Sequence, residues 1–87
     1  MLYCPVISSK MFDYDTETKT FTADWSELSY SGHRFNTMLT IKNERTGGEV
    51  TFDIVTVDRD REGDWTAMRF KSTSKEHPDL KLVVFND

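Results

Sequence analysis

Arg34-Phe35-Asn36-Thr37-Met38-Leu39-Thr40-Ile41-Lys42 is the stretch that decides the fold. Phe35, Thr37, Leu39 and Ile41 fall on one parity; Arg34, Asn36, Thr40 and Lys42 fall on the other. Alternation sustained over this length marks a half-buried strand. Asn43-Glu44-Arg45-Thr46-Gly47-Gly48 follows as a hairpin loop, its glycines available for positive φ. The chain returns through Glu49–Val57, where Val50, Phe52 and Ile54 alternate with polar residues. Val55 and Val57 then appear on the opposite parity. A phase slip of this kind predicts either a β-bulge near Ile54 or a strand end buried on both faces.

Working outward, Trp65–Lys71 reads as a strand with Met68 and Phe70 on one face and Trp65 and Ala67 on the other. Ser72–Asp79 is a polar loop closed by Pro78, and Leu80–Phe85 is a final apolar strand. Upstream, Met11–Tyr14 and Lys19–Ala23 flank Asp15-Thr16-Glu17-Thr18, a hairpin loop that sets Phe21 and Ala23 on one face and Thr20 and Thr22 on the other. Leu2–Ile7 is a further short strand, which Pro5 confines to an edge or an arm because proline has no N–H for a ladder. Asp24-Trp25-Ser26-Glu27 has the spacing of a capping box, and the polar run after it stops at Gly32. That segment is either one turn of helix or an irregular loop.

Composition agrees. The 87 residues include eleven Thr, six Val and three Ile, with eleven aromatic rings, against two Ala and no Gln. Such side chains suit a pleated surface and not a helical bundle. The expected architecture is all-β with a minor helical element. It is a small antiparallel, meander-like sheet of five to seven short strands, forming a sandwich or a partly closed barrel. Residues 1–87 have room for one domain only, with ~4–13 kcal/mol of stability.

The same arithmetic excludes several functions. The charge of −4 disfavours a general affinity for nucleic acid. Arg34-Phe35 and Arg69-Phe70-Lys71 do interleave cations with rings, but alternation turns those rings away from the neighbouring charges. No apolar run reaches the ~18–20 residues needed to span a bilayer. Met1-Leu2-Tyr3-Cys4-Pro5-Val6-Ile7 has neither the basic start nor the apolar length of a secretory signal. One cysteine, Cys4, rules out an internal disulfide, and its lone thiol points to a cytoplasmic setting.

Chemistry-bearing patterns are sparse. Cys4 has no adjacent basic residue and no helix N-terminus beside it, and His33 and His77 lack helical partners. Thr46-Gly47-Gly48-Glu49 lacks the Lys-Ser/Thr ending of a phosphate loop. No cofactor motif and no catalytic signature is present, so the expectation is a non-enzyme. An enzyme with an unrecognised site is a distant alternative.

Asp58, Asp60, Glu62 and Asp64, with Gly63 between the last two, resemble the first half of a calcium loop. The bidentate carboxylate that such a loop needs at its twelfth position is here Arg69, and a solvated hairpin turn accounts for the same residues. A divalent-cation module is therefore the alternative reading. The leading one rests on the rings. Tyr3, Tyr14, Trp25, Tyr30 and Trp65 exceed what a core already holding six Phe can accommodate, and rings rimmed by charge compose protein-binding patches. The expectation is a protein-interaction domain that binds a protein partner or itself as a homo-oligomer. Trp25, Tyr30 and Trp65 are its anchors, and Asp24 and Glu27 its rim charges. The competing assignment for Trp25 is a plug at one end of the sheet.

Overall fold

A computed structural model describes residues 4–87. Seven strands form one sheet: β1 (Val6–Ser8), β2 (Asp13–Asp15), β3 (Thr20–Asp24), β4 (Met38–Lys42), β5 (Glu49–Arg59), β6 (Trp65–Ser72) and β7 (Lys81–Phe85). Their spatial order is β1-β4-β5-β6-β7-β3-β2. β4 through β7 make the expected antiparallel meander, and β2 pairs antiparallel with β3. Two ladders are parallel instead: β1 with β4, and β3 with β7. The sheet curls into a half-barrel, which selects the partly closed barrel over the sandwich. β1 and β2 are the two outermost strands, yet only a single 3-10 turn, Ser9–Met11, and Phe12 separate them in the chain. So short a link spans no more than ~18 Å, which brings the two edges of the sheet near each other.

The concave face carries the core. Ile7, Leu28, Leu39, Phe52, Leu82 and Val84 are fully buried, with Phe12, Ala23, Ile41 and Phe70 packed among them. Each such aliphatic or Phe side chain contributes ~1.5–3 kcal/mol relative to exposure. Phe52 sits at the centre, its ring edge-on to Phe21 at 6.0 Å. Across β4 and β5, the buried Thr40 and its neighbour Thr51 share a hydroxyl hydrogen bond of 2.7 Å.

Several boundaries differ from the sequence reading. The strand expected over Arg34–Lys42 begins at Met38. The chain bends at Asn36 and Thr37, letting Phe35 turn inward to pack edge-on against Trp25 and Phe70. Of the expected Leu2–Ile7 strand, Val6–Ser8 is present; positions 2 and 3, including Tyr3, lie outside the described residues. The phase slip is a bulge: the β5–β6 register shifts between Ile54 and Thr56. Val55 and Val57 are exposed, so the doubly buried strand end is not formed. A second shift lies between Asp58 and Arg59, opposite Thr66, and it returns Trp65 to register with Arg59. Trp65 thus leaves the parity it shares with Ala67 in the sequence and meets Trp25.

The segment after Asp24 is a helix, α1 (Trp25–Tyr30). It ends as a Schellman motif: Gly32 N–H donates to the Ser29 carbonyl, and His33 N–H donates to that of Leu28, with Gly32 at φ +84°. Its start departs from the capping box, since the Asp24 side chain makes no cap bond. Asp24 is also the last residue of β3, held in register with Phe85 of β7. Ser26 N–H donates instead to the Asp87 carbonyl at 3.1 Å. Continuation of the ladder satisfies the helix donor that the carboxylate was expected to serve.

Candidate functional site

The register defines two ends of the half-barrel. Asp24, Phe85, Ala67 and Asp58 fall in one row across β3, β7, β6 and β5. α1 closes this end, with Trp25 edge-on to both Phe35 (5.3 Å) and Trp65 (5.8 Å). Trp25 packs against the core and both indoles are only part-exposed. Of the expected anchors, then, the structure brings Trp25 and Trp65 together as a plug. Tyr30 stands apart on the outer side of α1, 94% exposed, with exposed Glu27 preceding it on the same helix. Asp24 is half-buried in the β3–β7 ladder. Surplus rings do reach the surface, but they are Tyr30, Tyr14 and Phe85, not the tryptophans.

The acidic hairpin is built as a turn. Asp60 Oδ1 accepts from the N–H groups of Glu62 and Asp64, both at 3.0 Å. Asp58 is engaged by Arg69, whose Nε and Nη2 lie 2.9 Å from one carboxylate oxygen. Arg59 Nη1 donates to the Gly63 carbonyl at 2.8 Å, and Gly63 takes φ +88°. Two of the four carboxylates that a cation would need are thus turned to local partners. Among the described residues, no group of three or more His, Cys, Asp or Glu side chains is placed to hold a metal ion. Cys4 lies 3.4 Å from the Thr40 hydroxyl with no histidine beside it in that contact.

Two features of the surface were missed. The first is a free strand edge. β4 pairs with β5 only as far as Asp53, and one further bond joins Ile54 N–H to the Thr37 carbonyl at 2.8 Å. From Thr56 to Arg59, β5 is paired on the β6 side alone among the described residues, and Val55, the bulged residue, has no register partner in either ladder. Val55 is 57% exposed there and Val57 38%. The phase slip at Val55 was the signal for this edge, because the parity change that makes the bulge also carries the valine outward.

The second is a cleft of about 680 Å³ at the opposite end of the half-barrel, bordered by Ser9 and by none of the residues of α1. Its floor consists of Tyr14, Phe21, Ile41, Val50 and Leu80. No sequence pattern announces it, because the residues come from four strands and a loop. His77 lies on its rim, but the carboxylates there, Glu49 and Glu76, are exposed and not buried.

No helix among the described residues is long and apolar enough to cross a membrane. Fold and surface together define an all-β half-barrel domain with one plugged end, one open end and an unpaired strand segment. Comparison with known protein families, with curated proteins and with solved structures finds no match for this chain.

Proposed function

We propose that this domain is a non-catalytic protein-interaction module that associates with a second copy of itself through the free edge of β5. The observation that carries this reading is the Val55–Arg59 segment, which has no partner on the β4 side, is paired with β6 from Thr56 onward, and displays two exposed valines. An unpaired edge offers backbone donors and acceptors to an added strand, and alternate side chains then set specificity. The segment is suited to its own copy. Antiparallel pairing about Val57 sets Val57 against Val57, Thr56 against Asp58, and Val55 against Arg59, so the free stretch of each copy fills that of the other. That is the self-complementary contact of a two-fold dimer. The Trp25–Trp65 plug stiffens the end of the sheet that presents this edge. A cytoplasmic setting, where a lone thiol such as Cys4 stays reduced, fits the same reading.

Light scattering coupled to size-exclusion chromatography tests it. The unaltered chain is expected to form dimers at high concentration, and Val57→Lys is expected to yield monomers, since charge on an edge strand blocks edge-to-edge pairing. Tyr30→Ser, on the far side of α1, should leave the dimer intact. A strictly monomeric protein at several hundred micromolar would remove self-association, and dimers that Tyr30→Ser disrupts would move the contact to the helix.

A further inference from the structure

We propose that Thr56 and Asp58 form a reciprocal pair across the two-fold axis and make the β5 edge selective for its own copy. Resting on the β5-edge reading, this pair supplies what chooses the partner. Thr56 is in register with Arg69, and Asp58 with Ala67, so both side chains lie on one face of the sheet. It is the convex face, since Phe70, next to Arg69 in the strand, packs in the core. Arg69 Nε and Nη2 both lie 2.9 Å from Asp58 Oδ2, which fixes the carboxylate. Asp58 Oδ1 and the exposed Thr56 hydroxyl have no hydrogen-bond partner among the described residues. Pairing about Val57 sets Thr56 of each copy directly opposite Asp58 of the other, on the same face. Side chains so placed have Cβ atoms ~4.5–5.5 Å apart, within reach of a hydroxyl-to-carboxylate hydrogen bond. Thr56 Oγ1 donates to the free Oδ1, and the symmetry makes the contact twice. A carboxylate already held by Arg69 loses little freedom in accepting it. The same guanidinium offsets the Asp58 of the second copy, which lies diagonally across the axis at ~7–8 Å.

Other registers forfeit the pair. A slip of one residue turns every side chain to the opposite face. Centring on Asp58 sets the two Asp58 carboxylates directly against each other, which is repulsive. Centring on Thr56 sets Asp58 against Ile54, whose N–H is already given to the Thr37 carbonyl at 2.8 Å. On the concave face, pairing about Val57 extends an apolar row. Val57 is in register with Met68, and Met68 with the buried Val84, so the two valines join two such rows. A foreign strand would match only by offering a hydroxyl and a carboxylate two positions apart with an apolar residue between them.

Sedimentation of the full chain, with native mass spectrometry of mixed variants, tests it. Thr56→Val and Asp58→Ala are each expected to weaken the dimer about tenfold, the size of two cross-strand pairs lost together. The double variant should dimerise no more weakly than either single one, since each already removes both contacts. Mixed in equal amounts, the two single variants should form more heterodimer than random pairing gives, because only the heterodimer keeps one Thr56–Asp58 pair. Undiminished dimerisation of both single variants, or random pairing in the mixture, would overturn the proposal. Loss of the dimer in Val57→Lys alongside either result would leave the edge contact itself standing. A strictly monomeric unaltered chain would remove the edge reading and this pair together.

Discussion

The indole rings of Trp25 and Trp65 meet edge-on, their centroids 5.8 Å apart and their planes at 88°. One ring comes from the first residue of α1 and the other from the first residue of β6, so the contact ties the helix to the sheet. Aromatic pairs in this geometry are worth ~0.5–1.5 kcal/mol beyond the area they bury. A double-mutant cycle of Trp25→Leu and Trp65→Leu, read by urea unfolding, should give a coupling of that size. A coupling of zero would show that the rings adjoin without stabilising each other.

Phe52 is fully buried at the centre of the core. Truncation of Phe52→Ala is expected to cost ~3–5 kcal/mol, a large share of the ~4–13 kcal/mol available to a chain of this size. Chemical denaturation should show a transition midpoint well below that of the unaltered chain. A loss below ~1 kcal/mol would place the centre of the core elsewhere.

The hydroxyls of Thr40 and Thr51, 2.7 Å apart across β4 and β5, form a pair whose members need each other. Thr40→Val alone should destabilise by ~1 kcal/mol because it leaves the Thr51 hydroxyl without its partner. The double change to valine is expected to cost less than the single one, as removing both members strands neither. Equal or larger loss in the double variant would assign the stability to other contacts of these residues.

In the acidic hairpin, Asp60→Ala removes the acceptor for two backbone N–H groups and should cost ~1 kcal/mol. Asp58→Asn breaks only the exposed pair with Arg69 and should change stability by less than ~1 kcal/mol. Millimolar calcium is expected to leave the Gly63 amide resonance in place, since Asp58 and Asp60 already have partners. A saturable calcium shift at Gly63 would revive the cation module.

Strand by strand, what the residues disclose depends on how local the cause is. The hairpins at Asp15–Thr18 and Asn43–Gly48, the bulge at Val55 and the Gly32 stop are set by neighbours a few positions apart, and all are readable. The late start of β4 at Met38 is not, because Phe35 bends inward for Trp25 and Phe70. The face of Trp65 is not readable either, because the shift opposite Thr66 has no counterpart in the alternation of residues 65–71. The parallel ladder of β3 with β7 and the cleft assembled from β2, β3, β4 and β5 arise from pairings far apart in the chain, which no periodicity encodes. The candidate sites divide the same way: the valine edge left a trace in the sequence, and the cleft left none.

Joining the two outermost strands by a single 3-10 turn also dictates an order of assembly. β1 needs β4 as its neighbour, and β2 needs β3, which itself rests on β7 at residues 81–85. During synthesis the opening hairpin must wait for the seventh strand to leave the ribosome before its own seat exists. Until then, some sixty residues of partly paired chain lie open to chaperones and to one another.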